Sequence, residues 1–182
     1  TGKYFFSFSI TSIFVVLADA GLTPVIIREM ATDLKRGQAA LKRALQLKWL
    51  LIPVAVLCSL GYAVFVKAES DVLLAVAIAC LVLSADSLSL VWYGVLRGRK
   101  DLRYESFGML ICQLLTGIVA ILATYFGKSV ASLVFALLCG SIWNVGWSFF
   151  WSRRLNRQTE PVEPWALTSL IWPALPFGLA GL

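Results

Sequence analysis

The chain has 182 residues, of which 59% are hydrophobic and only 14% charged, with a net charge of +6 and a mean hydropathy of +0.83. Soluble domains hold roughly 45–50% apolar and about 25% charged residues, so a soluble enzyme, a disordered tail and a disulfide-stapled secreted module are excluded. Histidine is absent, which removes the commonest metal ligand and the commonest general base.

Crossing a hydrocarbon core of about 30 Å takes about 20 apolar residues of helix, and six stretches meet that description. In chain order they are Phe5 to Ile27 around Asp19, Trp49 to Val66, Val72 to Leu96 around Asp86, Ser106 to Phe126, Ser129 to Trp151, and Trp165 to Leu182. The runs are continuous rather than alternating, which predicts helices and argues against a membrane β-barrel. The expected fold is therefore an all-α, polytopic transmembrane bundle.

Lys and Arg between these stretches follow the series 1, 6, 1, 4, 1, 3, so 13 lie on one side and 3 on the other. Positively charged residues accumulate in cytoplasmic loops, which places residues 28–48, 97–105 and 153–157 in the cytoplasm. The +6 balance is thus a topology signal, and no nucleic-acid partner is expected. On this orientation residue 1 lies outside, and the first stretch lacks the basic flank of a signal peptide. At least one upstream span is expected, with residues 1–164 supplying five helices of one lobe and residues 165–182 opening the next.

Cys58, Cys80, Cys112 and Cys139 fall in four different stretches with no CxxC pair, so they read as small apolar helix residues. The informative residues are those that are expensive to bury. An Asp near the centre of a membrane helix costs roughly 2.5–3.5 kcal/mol, so Asp19 and Asp86 should each face protein or water. Ser9, Ser12, Asp19 and Thr23 line one face of the first stretch. Asp86, Ser89, Tyr93 and Arg97, spaced three, four and four, line one face of the third. Two readings stay open for the carboxylates: hydrogen-bonded contacts between helices, or a part in substrate or ion passage.

Gly21 and Pro24 should weaken and bend the first helix near its cytoplasmic end, with Arg28 and Glu29 just beyond. Arg28 reads either as a headgroup anchor or as an anion partner at a cavity mouth. Residues 28–48 interleave Met30, Leu34, Leu41, Ala44 and Leu45 with basic residues, which predicts a short amphipathic helix on the anionic inner leaflet. Gly94 and Gly98 form a GxxxG spacing, a weak helix-packing signal. Trp49, Trp92, Trp151 and Trp165 sit near stretch ends, as in an aromatic belt. Paired catalytic carboxylates, a nucleophile–base pair and a phosphate-cradling loop are all missing from the pattern, and no cofactor is expected.

Three stretches carry a family resemblance. Phe6-Ser-Phe-Ser-Ile, Leu17-Ala-Asp-Ala-Gly-Leu and Ile27-Arg-Glu-Met-Ala resemble the second span and following loop of bacterial polysaccharide flippases. Tyr93-Gly-Val-Leu-Arg-Gly-Arg-Lys-Asp-Leu-Arg-Tyr-Glu resembles the basic loop after their fourth span, and Leu175-Pro-Phe-Gly-Leu-Ala-Gly-Leu the opening of their seventh. The family is the lipid-linked oligosaccharide (O-antigen-type) translocases of the multidrug/oligosaccharidyl-lipid/polysaccharide exporter superfamily. The resemblance implies movement of an undecaprenyl-diphosphate-linked oligosaccharide between leaflets of the bacterial inner membrane, in a bundle completed by helices outside this sequence. It implies no covalent chemistry, with proton or sodium coupling as an open option. Candidate pathway residues are Asp19, Asp86, Arg28 and Arg97, and the partners are the lipid-linked oligosaccharide and membrane lipids. A cation-coupled multidrug exporter is the alternative within transport, and a membrane-embedded envelope-synthesis enzyme the alternative outside it.

The charge series makes one prediction directly. Single cysteines placed at Gln38 or Asp101 in an otherwise Cys-free, full-length protein should resist an impermeant maleimide added from the periplasm, and should label once the membrane is permeabilised. Labelling without permeabilisation would overturn the orientation.

Overall fold

A computed structural model of the chain describes residues 21–66, 70–126 and 130–155, and these form five helices: α1 (Leu22–Thr32), α2 (Leu34–Phe65), α3 (Ser70–Gly98), α4 (Arg103–Phe126) and α5 (Val130–Leu155). No strand occurs among the described residues. Stretches within α2, α3, α4 and α5 are each long and apolar enough to cross a membrane. The predicted second to fifth spans are therefore all present as helices, and the all-α bundle is what the chain forms. Asp19, most of the first predicted span and all of the sixth lie outside the described residues.

The chain enters α1 through Gly21, whose backbone is left-handed at φ 70° and ψ 15°, a conformation that glycine adopts without a Cβ clash. Pro24 falls in the first turn, where backbone N–H groups have no intrahelical acceptor to lose. The break foreseen near Gly21 and Pro24 is thus a helix start. Residues 22–27, counted into the first apolar stretch, open a helix that runs on through Thr32.

The expectation for residues 28–48 also needs correction. A single break occurs at Asp33, whose extended backbone (φ −150°, ψ 123°) ends α1 and whose side chain accepts the Lys35 N–H at 2.9 Å to cap α2. From there the helix runs unbroken into the second span, through Pro53, for 32 residues, or about 48 Å at 1.5 Å per residue. That exceeds the hydrocarbon thickness by about 18 Å, so the Leu34 end extends beyond it. The amphipathic pattern was real, but its apolar face meets protein. Ala40, Leu41 and Ala44 pack with Leu22, Val25, Ile26 and Met30 of α1 and with Val91 and Val95 of α3.

Helix α3 is the centre of the arrangement. Its first half packs on α2 through Val72, Val76 and Cys80 against Ala63, and on α5 through Ala75, Ala79 and Val82 against Val134. Its last turns carry Gly94 and Gly98 toward α1. A Cβ on Gly94 would lie 3.5 Å from Ile26 Cγ2, and one on Gly98 would lie 2.5 Å from Met30 Cβ and 3.0 Å from the Ile27 carbonyl. The GxxxG spacing therefore seats the short helix α1. Helix α4 packs on the far side of α5, leaving Leu110, Leu114, Ile118 and Ile121 exposed. On a membrane helix such a surface meets acyl chains or further helices without penalty.

The α3–α4 turn brings the basic ends together. Asp101 N–H bonds to the Leu96 carbonyl and Lys100 N–H to that of Arg97, at 3.1 and 3.0 Å, the paired bonds of a Schellman closure. Lys100 takes the left-handed position at φ 61°, where glycine is usual. Arg99 Nη1 reaches the Leu155 carbonyl at 2.8 Å, so the ends of α3 and α5 adjoin. With Met30 against Gly98, α1, residues 97–105 and the end of α5 lie at one end of the bundle, while the basic segment 28–48 reaches down α2 to Lys48 beside Ser87.

Two substitutions test this packing in the detergent-solubilised full-length protein. Gly98→Leu should lower the melting temperature, because overpacking a tight site costs typically 1–3 kcal/mol. Lys100→Gly should raise it slightly, by relief of about 1 kcal/mol of left-handed strain. An unchanged Gly98→Leu variant would show that α1 does not seat on α3.

Candidate polar seam between the third, fourth and fifth helices

The stripe Asp86, Ser89, Tyr93 and Arg97 faces α5 and the start of α4. Helix α5 answers with a stripe of the same spacing: Ser141, Asn144, Ser148 and Ser152, three, four and four residues apart. Ser141, Ser148 and Ser152 are all buried. The two helices run in the same direction, so like spacing keeps the stripes in line. Half-buried Asp86 faces the Ser141 hydroxyl across the seam. The hydroxyl of fully buried Tyr93 donates to Asn144 Oδ1. Ser89 instead donates to the Ala85 carbonyl of its own helix at 3.1 Å, as helical serines often do.

Two glycines let α4 close over this seam. A side chain on Gly108 would fall 2.5 Å from the Tyr93 hydroxyl and run into the Trp147 indole. A Cβ on Gly140 would lie 3.2 Å from both the Cys112 carbonyl and its sulfur. Trp147 Nε1 then donates to the Tyr104 carbonyl at 2.8 Å. An aromatic column continues the contact at four-residue intervals along α5, with Trp143 stacked on Trp147 at 5.9 Å and Trp147 tilted against Trp151 at 5.7 Å. Tyr104 stacks on Trp151 at 4.0 Å.

Arg97 closes the seam at the basic end. Its Nε lies 3.0 and 2.9 Å from the two oxygens of Glu105, and its Nη2 also bonds Oε1. Glu105 is buried, with 8% of its side chain exposed, while Arg97 is about one-third exposed. The pair clamps the α3–α4 turn and neutralises the cation locally. Asp86 and Arg97 share a face yet stand eleven residues apart, about 16 Å along the axis, so they do not touch. Arg28 lies on α1 and is exposed. The structure thus brings Asp86 and Arg97 onto one seam and leaves Arg28 off it, on the surface of α1 at the same basic end. Asp19 lies outside the described residues.

Several contributors escaped the sequence reading. Lys48, counted as a loop cation, is fully buried, and its Nζ donates to the Ser87 hydroxyl at 2.6 Å and the Ser87 carbonyl at 2.8 Å. The available signal was its place at the four-residue interval after Ala44 on the packed face of α2. Glu105 and Asn144 are single polar residues, and only the fold shows that they meet Arg97 and Tyr93. Trp92 is no belt residue; it is half-buried, edge-on to Phe149 with centroids 5.1 Å apart. Trp49, by contrast, is 78% exposed. The four cysteines are free and lie on α2, α3, α4 and α5. Among the described residues no group of three His, Cys, Asp or Glu side chains is arranged to hold a metal ion.

Compared with known proteins, the chain matches the family profile described as "Polysaccharide biosynthesis protein" over residues 1–161. No curated protein and no solved structure matches it significantly.

The clamp at Arg97 is testable by a double-mutant cycle. Breaking a buried pair by removing one partner costs roughly 3–5 kcal/mol, and the partial exposure of Arg97 reduces this toward about 1–2 kcal/mol. Arg97→Ala should therefore lower melting temperature and membrane abundance. Adding Glu105→Ala to it should restore part of the loss, because no unpaired carboxylate then remains. Strictly additive effects would contradict the pairing.

Proposed function

We propose that this chain, which belongs to the polysaccharide biosynthesis protein family, supplies helices of a translocase that moves a lipid-linked oligosaccharide across the bacterial cytoplasmic membrane. The family match and four helices able to cross a membrane make it a multi-pass membrane protein with a role in polysaccharide biosynthesis. Translocation and its substrate are the finer reading. One observation carries it: Asp86 lies on a polar face of the central helix, in a segment otherwise apolar enough to span the bilayer.

The physical task fits that face. A diphosphate and sugars need hydrogen-bonding walls to cross a layer about 30 Å thick, while a polyprenyl tail stays in lipid. Hydroxyls and amides such as Ser141, Tyr93 and Asn144 offer such partners once the helices of a larger bundle part. A carboxylate in that wall gives a site for a proton or sodium ion to bias the two states of an alternating-access cycle. Arg28, exposed at the basic end, is a cation that an entering diphosphate could meet. No bond is made or broken in this reading, so the protein acts as a transporter and no catalytic residue is assigned.

Complementation of a flippase-deficient strain with the full-length protein tests it, scoring surface polysaccharide against membrane-inserted protein. Asp86→Asn keeps hydrogen bonding with Ser141 and loses the charge. It should reduce export at least about fivefold at normal abundance, the low end of a coupling free energy of 1–3 kcal/mol. Asp19→Asn and Arg28→Ala are companion variants with the same expected direction. Full complementation by all three would remove these residues from the transport path.

A further inference from the structure

At the basic end of the bundle a groove of about 910 Å³ opens between α2, α3 and α5. Its walls are Leu41, Trp92, Phe149 and Phe150, and its polar rim is Ser152, Arg153 and Arg154. Among the described residues no acidic side chain lines it. Three features of this rim are unusual together. Arg153 lies over the Phe149 ring at 4.8 Å, and Arg154 over Trp151 at 5.3 Å. Aromatic faces in these positions hold a guanidinium in place while leaving its N–H edge unused. Ser152 is fully buried, and its hydroxyl finds no hydrogen-bond partner.

That orphan hydroxyl is informative. Elsewhere in the same bundle Ser84, Ser89 and Ser148 turn back to a carbonyl of their own helix, at 2.6, 3.1 and 3.1 Å. Ser152, at the end of the same stripe as Ser148, does not. A buried polar group without a partner costs free energy, and this one sits beside two held cations, with the Trp151 Nε1 next to it likewise unpartnered. Nearby, Arg99 anchors the carbonyl of Leu155 at 2.8 Å, which brings a third cation to this end.

We propose that this groove binds the headgroup of an anionic glycerophospholipid, its phosphate accepting from Ser152, Arg153 and Arg154 and its upper acyl chain lying on Leu41, Trp92, Phe149 and Phe150. Charge and shape argue for that occupant. The rim sets two guanidinium groups beside a hydroxyl, so its complementary ligand is an anion rich in acceptors. The walls are aromatic and aliphatic, which a free phosphate would leave uncovered but an acyl chain fills. The groove also lies at the end of a membrane-spanning helix, where basic pockets between helices meet anionic headgroups. The groove meets the seam's α5 stripe only at its last member, Ser152, eleven residues or about 16 Å beyond Ser141, so its occupancy can be read separately from the transport reading at Asp86. It would fix the end of α5 against the leaflet that α2 enters.

Native mass spectrometry of the full-length protein in mild detergent, titrated with phosphatidylglycerol or with phosphatidylcholine of the same chains, tests the site. Phosphatidylglycerol should be retained preferentially, and Arg153→Gln with Arg154→Gln should weaken it by about tenfold or more, from roughly 1 kcal/mol per cation near an anionic lipid. Ser152→Ala should weaken it less and leave phosphatidylcholine unaffected. The wild-type protein supplies a readout that no folding defect can disturb: its preference should shrink as salt rises. Equal retention of the two lipids, or a preference untouched by salt, would overturn the site. Displacement of phosphatidylglycerol by millimolar inorganic pyrophosphate would overturn the lipid as occupant and assign the rim to a diphosphate. Loss of export in Asp86→Asn with phosphatidylglycerol binding intact separates the two sites.

Discussion

Inside a bilayer, helices gain nothing by hiding apolar side chains from one another, because lipid tails are as apolar as leucine. Association must then come from close backbone approach and from polar groups that find partners. Helix α3 supplies both, on different faces. Its glycines at 94 and 98 admit α1 to within contact of Ile26, Ile27 and Met30. Its polar stripe meets the matching stripe of α5 at Asp86 with Ser141 and Tyr93 with Asn144. The neighbours on one side are held by the absence of side chains, and on the other by hydrogen bonds.

This division bears on function. Polar groups that join α3 to α5 are the same kinds of group that a hydrated sugar needs from a wall, so one surface can serve both if the helices separate during a cycle. Arg97 is the exception, since Glu105 occupies its guanidinium with short bonds and the pair closes the α3–α4 turn. A cation so engaged stiffens the basic end and offers little to a passing diphosphate. Lys48 plays a comparable part on the other side, where a buried ammonium ties α2 to Ser87 of α3 at the level of Asp86 along that helix. Arg97 and Lys48 are thus both engaged across helices, which leaves Asp86, facing the Ser141 hydroxyl, as the seam carboxylate most open to change.

The fold was legible wherever a long apolar run decided it. The spans around Asp86, Gln113 and Asn144 are α3, α4 and α5 to within a few residues, and even the stripe Asp86, Ser89, Tyr93, Arg97 could be read from spacing alone. What spacing does not encode is the partner. Met30 and Leu41 looked suited to a lipid surface because their periodicity is amphipathic, and periodicity is the same whether the apolar face meets lipid or a neighbouring helix. Lys48 was counted as a loop charge because Lys beside Trp49 looks like a span boundary. The capped restart at Asp33 instead carries the helix through both and buries Lys48. The GxxxG spacing was visible, yet only the position of α1 shows what it packs against. Ser152 carried no signal at all, because a serine that fails to bond its own helix differs from its neighbours only in three dimensions.

The central claim is that the two faces of α3 hold different neighbours, glycine facing α1 and tyrosine facing α5. Disulfide formation in native membranes measures this directly, in a full-length protein freed of its own cysteines. A Cβ on Gly94 lies 3.7 Å from Ile26 Cβ, within the range that a disulfide spans. The account predicts that Ile26→Cys with Gly94→Cys cross-links readily under mild oxidation, while Ile26→Cys with Tyr93→Cys, one residue away and on the other face, does not. Efficient cross-linking of the second pair with none in the first would contradict it.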